Sequence, residues 1–141
     1  MRASRPVIAS LAAALFLACS DQGPEAGALV TFGFDGRTET MRVLIADPGT
    51  IAEAEEWIAT GMGPSFPIGP IVRGTGVDPR YPFHFVPDKV RLAELAIEVC
   101  DGAPMKTPEQ VDDFFEGATG NRFADSATWC PWGAYPISIE R

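Results

Sequence analysis

A chain of 141 residues has room for one domain, and an apolar fraction of 46% is enough to give it a core. A net charge of −8 excludes the basic footprint that nucleic acid or an anionic lipid surface requires. Thirteen prolines and fourteen glycines exclude a bundle of long helices and predict short elements joined by many turns.

In chain order the first feature is a leader. Arg2 and Arg5 precede an apolar run, Val7 to Ala18, too short to span a bilayer stably but of the length found in secretory signals. Residues 1–18 are therefore expected to be a signal peptide. Phe16-Leu17-Ala18-Cys19 resembles the bacterial lipoprotein box, which implies that Cys19 becomes the lipidated first residue of the mature chain. Leu is usual where Phe16 stands, and plain cleavage near Ala18 is the alternative. Residues 19–27 then read as lipidated cysteine and polar tether, and 28–141 as one domain. Such a lipid would hold the domain at a membrane, since each buried methylene adds about 0.8 kcal/mol. Losing both leader arginines takes the net charge from −8 to −10.

Residues 28–34 alternate, with Val30, Phe32 and Phe34 on one side. Asp35-Gly36 is a turn dipeptide, and Met41, Val43 and Ile45 alternate again, so a β-hairpin is predicted. Thr50 followed by Glu53 reads as a capping box that opens a helix with Ile51, Ala54 and Ile58 on its apolar stripe, stopped by Gly61 and Gly63. Ile71–Arg73 and Phe83–Val86 read as short strands in a segment rich in proline and glycine. Residues 90–99 fit either period: Leu95, Ile97 and Val99 alternate, whereas Val90, Ala93 and Ile97 suit a helix. A strand is expected for the second half, with Leu95, Ile97 and Val99 toward the core. Thr107, Pro108 and Gln110 open a second helix whose stripe is Val111, Phe114, Phe115 and Ala118. The last strand, Tyr135–Ile139, contains Pro136 and so belongs at a sheet edge.

With Cys19 assigned to lipid, Cys100 and Cys130 remain, and an even pair in an exported chain predicts a disulfide. A free nucleophilic thiol is the alternative. The fold class is α+β: a single small domain, an antiparallel or mixed sheet covered by about two helices, and one disulfide.

Ile97-Glu98-Val99-Cys100-Asp101-Gly102 and Trp129-Cys130-Pro131-Trp132 follow Gly69-Pro70-Ile71-Val72-Arg73-Gly74. This order resembles the N-terminal domain of calmodulin-binding-protein-like secreted proteins, a group common in bacteria, over roughly residues 28–141. Where that family has a Pro-Pro-Trp stretch, this chain has Asp78-Pro79-Arg80-Tyr81-Pro82-Phe83. An aromatic surface there would rest on Tyr81 and Phe83. The family name implies calmodulin, but calmodulin grips basic amphipathic helices, and both predicted helices here are acidic and carry no base. No calmodulin partner is expected.

His84 is the only histidine, so a Ser-His-Asp or Cys-His site would have to use it. Gly63-Pro64-Ser65-Phe66-Pro67 is not a nucleophile elbow. A Cys100–His84 pair requires an unpaired Cys100. One histidine and a bonded cysteine pair leave no zinc set, and Asp112, Asp113 and Glu116 read as a solvated helix face rather than a calcium loop. No phosphate-binding glycine loop and no cofactor motif are present. Trp129 and Trp132 flank Cys130 and read as rings packed on the disulfide. The alternative is that Trp132, with Tyr81, Phe83 and His84, offers an aromatic platform to a sugar ring or an apolar partner. The chain is therefore expected to be an exported, lipid-anchored, non-enzymatic module that binds an unknown protein or small molecule. A small secreted hydrolase and an inhibitor of another exported protein are the alternatives.

Overall fold

A computed structural model describes residues 27–96 and 100–141. Its elements run β1 (Ala28–Phe34), β2 (Thr40–Ile45), α1 (Pro48–Thr60), β3 (Phe66–Arg73), β4 (Phe83–Phe85), β5 (Arg91–Ala93), α2 (Pro108–Thr119), β6 (Ala127–Trp129) and β7 (Ala134–Glu140). The leader, Cys19 and most of the tether lie outside the described residues, as does the strand expected over residues 97–99.

Alternation builds the first sheet, of order β2-β1-β7 and antiparallel throughout. Ala28, Val30, Phe32 and Phe34 of β1 and Met41, Val43 and Ile45 of β2 are all buried on one face. The Phe34–Arg37 turn closes through the Arg37 N–H donating to the Phe34 carbonyl at 3.0 Å, with Gly36 at φ 70°. β7 occupies an edge, as Pro136 requires. Its register against β1 slips between Thr31 and Phe32, leaving Ile137 without a partner and 44% exposed.

The second sheet is built around β3, which pairs antiparallel with β4, β5 and β6. Ile71 has Phe85 on one side and Ala127 on the other. β3 is longer than the predicted Ile71–Arg73 because Phe66–Ile68 find a partner in β5. Fully buried Trp129 stacks on Phe85 with centroids 5.4 Å apart and meets Phe83 edge-on at 5.1 Å. The Cys100–Cys130 disulfide, α-carbons 5.1 Å apart, ties the segment before α2 to the end of β6.

Several local expectations are corrected. The cap of α1 is Asp47, whose carboxylate accepts from both the N–H and the hydroxyl of Thr50 at 2.8 Å, so the helix starts at Pro48 and Thr50 lies inside it. Ile51 and Ala54 are buried, but Ile58 is 42% exposed. In residues 90–96 the strand occupies Arg91–Ala93, where Phe66–Ile68 can pair with it. Leu95 follows beyond the start of β3 and is 91% exposed, so it does not face the core. The second helix opens at Thr107 as expected, through a Thr107–Gln110 capping box, and Val111 and Phe115 are buried, whereas Ala118 is exposed. The acidic face of α2 is paired: Asp112 with Arg73 and Arg122, and Asp113 and Glu116 with Arg122.

Candidate functional site

The free edge of β2 and the strand β4 belong to different sheets, and the loop from Gly74 to Pro82 closes over the gap between them. One buried carboxylate holds that loop. Asp78 is 3% exposed, and its oxygens accept from the Arg42 N–H at 2.9 Å, the Arg80 N–H at 3.2 Å, and the Arg80 guanidinium at 2.8 and 2.6 Å. Burial alone would raise its pKa. The bonds from Arg80 and Arg42, with the Arg80 charge, outweigh that and hold it at about 2.

Two further contacts cover the β2 edge. The Tyr81 hydroxyl donates to the Thr40 carbonyl at 2.9 Å, and the Ala46 N–H donates to the Pro87 carbonyl at 2.9 Å. Strand edges left open invite pairing with other chains, and these contacts occupy the outward backbone groups of Thr40, Arg42 and Ala46. Between them remains a cleft of about 260 Å³, lined by Met41–Leu44 of β2, Gly76–Asp78 of the loop, Phe83–Phe85 of β4, and Pro87. Its inner wall is apolar: Met41, Val43, Phe83 and Phe85 are each at most 3% exposed. Val77 stands partly exposed at the mouth.

His84 is the polar side chain that β4 contributes to this cleft. It alternates with buried Phe83 and Phe85, and its Nδ1 lies 2.7 Å from the Gly74 carbonyl. A carbonyl only accepts, so Nδ1 carries the proton, and in the neutral ring Nε2 is left as an acceptor. Its ring packs on Gly76, where a Cβ would come within 2.6 Å of the His84 Cβ and 2.9 Å of its Cγ. Glycine is needed there for space, not for backbone conformation.

The structure brings some of the expected site residues together and separates others. Phe83 and His84 share the cleft. Tyr81 and Phe83 are 2% and 1% exposed and meet edge to face at 6.0 Å, so neither presents a ring to solvent. Burial raises the Tyr81 pKa, helped by the nearby Glu39 charge. Trp132 is half exposed and does not line the cleft. Its indole N–H donates to the Cys130 sulfur at 3.3 Å, and its backbone N–H donates to the Asp101 carboxylate at 3.0 Å. The four-residue aromatic platform is therefore not formed. Nor is a Cys100–His84 pair, because the Cys100 sulfur is bonded to Cys130. Among the described residues no three His, Cys, Asp or Glu side chains converge as a metal set would.

Sequence reasoning missed Met41, Val43, Gly76 and Asp78 as parts of one site. The Asp78-Pro79-Arg80 turn was the available signal, since a carboxylate two residues before an arginine can close on it, but nothing local showed that it would cap β2.

Among known proteins, the chain matches the family model of the BP-74 N-terminal domain over residues 27–141. No curated protein and no solved structure matches it.

Proposed function

Because the chain belongs to the BP-74 N-terminal domain family, we propose that it is an exported, lipid-anchored, non-enzymatic binding module whose ligand enters the cleft between β2 and β4. The observation that carries this reading is the cleft itself: buried apolar walls, a mouth at Val77, and few polar groups. Several polar and sulfur groups near the cleft or in the core are held by partners within the fold. Asp78 is fully occupied by Arg80 and Arg42, the two cysteines are joined, and Nδ1 of His84 is bound to Gly74.

Export and anchoring are supported by the leader and by Cys19 at its end, and a disulfide fits an oxidising compartment. Nucleic acid and calmodulin have no part in the reading, since both helices lack basic residues.

A fragment screen by methyl and amide NMR on the disulfide-bonded protein tests the binding role. Ligands should shift Met41, Val43 and Val77 together and be recovered chemically unchanged. Shifts clustered elsewhere, or turnover of the ligand, would sink it. Labelled palmitate should enter the protein in its host and be lost with Cys19→Ser.

A further inference from the structure

Resting on that reading of the cleft, the geometry points to a ligand class: a small uncharged ring bearing one hydroxyl, gripped by apolar walls and recognised by His84 Nε2. Size comes first. A cavity of about 150 Å³ lined by aliphatic and aromatic side chains takes benzene. The present cleft, about 260 Å³, therefore has room for one ring with a short substituent. Its lining is mostly apolar, running from Met41, Val43 and Leu44 of β2 to Val77 and Pro87, which suits an apolar body.

Charge comes next. Among the described residues lining the cleft, Asp78 is the only carboxylate. Four donor contacts from Arg42 and Arg80 already use its oxygens, so a cationic ligand finds no counter-ion there. The Arg42 guanidinium, which also borders the cleft, is already engaged by the Val77 carbonyl at 3.0 Å. An uncharged ligand avoids desolvating an ion that nothing would pair.

The hydroxyl follows from the histidine. The Gly74 carbonyl fixes Nδ1 as the protonated nitrogen, and Gly76 leaves the imidazole just enough space to lie there. On a residue that lines the cleft, the neutral ring then has Nε2 as its acceptor, which rewards a ligand that donates and gains nothing from one that does not.

The test compares p-cresol with 4-methylanisole, the same body with its hydroxyl capped, on the full chain with its disulfide intact. His84 is the only histidine, so ¹⁵N-histidine labelling reads one residue. p-Cresol should move the Nε2 resonance and bind at least tenfold tighter than the ether, and His84→Phe should abolish that difference. Equal affinity of the two ligands, with Met41 and Val43 still shifting, overturns the role of His84 while leaving the cleft as the binding site. No shift at Met41 or Val43 with either ligand overturns both. The comparison on the unsubstituted protein decides the matter even where His84→Phe does not fold.

Discussion

The Cys130 N–H donates to the Cys100 carbonyl at 2.9 Å, and the same two residues, 30 positions apart, are joined through their sulfurs. The pair lies beside Trp129, whose indole N–H donates to the Gly102 carbonyl at 3.2 Å, so a buried hydrogen-bonded patch surrounds the bond. The double replacement Cys100→Ala, Cys130→Ala should cost roughly 2–5 kcal/mol, largely by freeing the unfolded chain. Thiol counting on unfolded, unreduced protein should find neither cysteine free, and melting should fall with reductant. Two titratable thiols would defeat the prediction.

Asp78 predicts the acid limb of stability. Its folded pKa, about 2, lies below the usual 3.8, so its contribution is complete above the unfolded value and disappears as pH falls from 3.8 toward 2. The shift corresponds to about 2 kcal/mol. Urea midpoints measured between pH 6 and pH 2 should fall through that window in the unsubstituted protein. Asp78→Asn should be less stable at neutral pH and show a flatter acid limb; an unchanged slope would remove Asp78 as its source.

The start of α1 separates two caps by mutation. Asp47→Ala should cost about 1 kcal/mol, because the Thr50 N–H and hydroxyl both lose their acceptor. Glu53→Ala, at an exposed position, should change stability by less than about 0.5 kcal/mol. The reverse order in chemical denaturation would restore the Thr50–Glu53 box.

Arg73 ties the end of β3 to α2. Its Nε donates to Asp112 at 2.9 Å, its Nη1 to the Ala124 carbonyl at 2.7 Å and its Nη2 to the Arg122 carbonyl, while the guanidinium lies 4.1 Å from the centre of the Phe115 ring. A lysine ammonium cannot serve three acceptors in a planar fork. Arg73→Lys should therefore lose about 1–2 kcal/mol, with faster amide exchange confined to residues 121–126. A lysine variant as stable as the parent would show that charge alone suffices.

Local pattern was enough for the elements that depend on their own residues. Val30, Phe32 and Phe34 against Met41, Val43 and Ile45 announced a hairpin because a pleated strand alternates its faces regardless of what covers it. Thr107 and Gln110 announced a helix start because both partners of the capping box lie within one turn. Cys100 and Cys130 announced their bond because no other cysteine of the domain competes for either. The family, too, was legible, since its motifs are short runs around those cysteines and Gly69–Gly74.

Tertiary structure decided whatever depended on a distant partner. β6, only three residues long, is a strand because Gly69–Ile71 lie beside it, and no alternation in Ala127–Trp129 could reveal that. Tyr81 and Phe83, read from sequence as a surface, are interior because the Gly74–Pro82 loop folds back so that Tyr81 reaches Thr40 and Asp78 reaches Arg42, contacts 41 and 36 residues long. The cleft exists for the same reason: its walls come from three stretches of chain, and only packing two sheets edge to edge under one loop brings Met41, Gly76 and Phe83 to a common space. Periodicity records which face of an element is apolar; which faces then meet is set by long-range burial and by buried carboxylates that must find their donors.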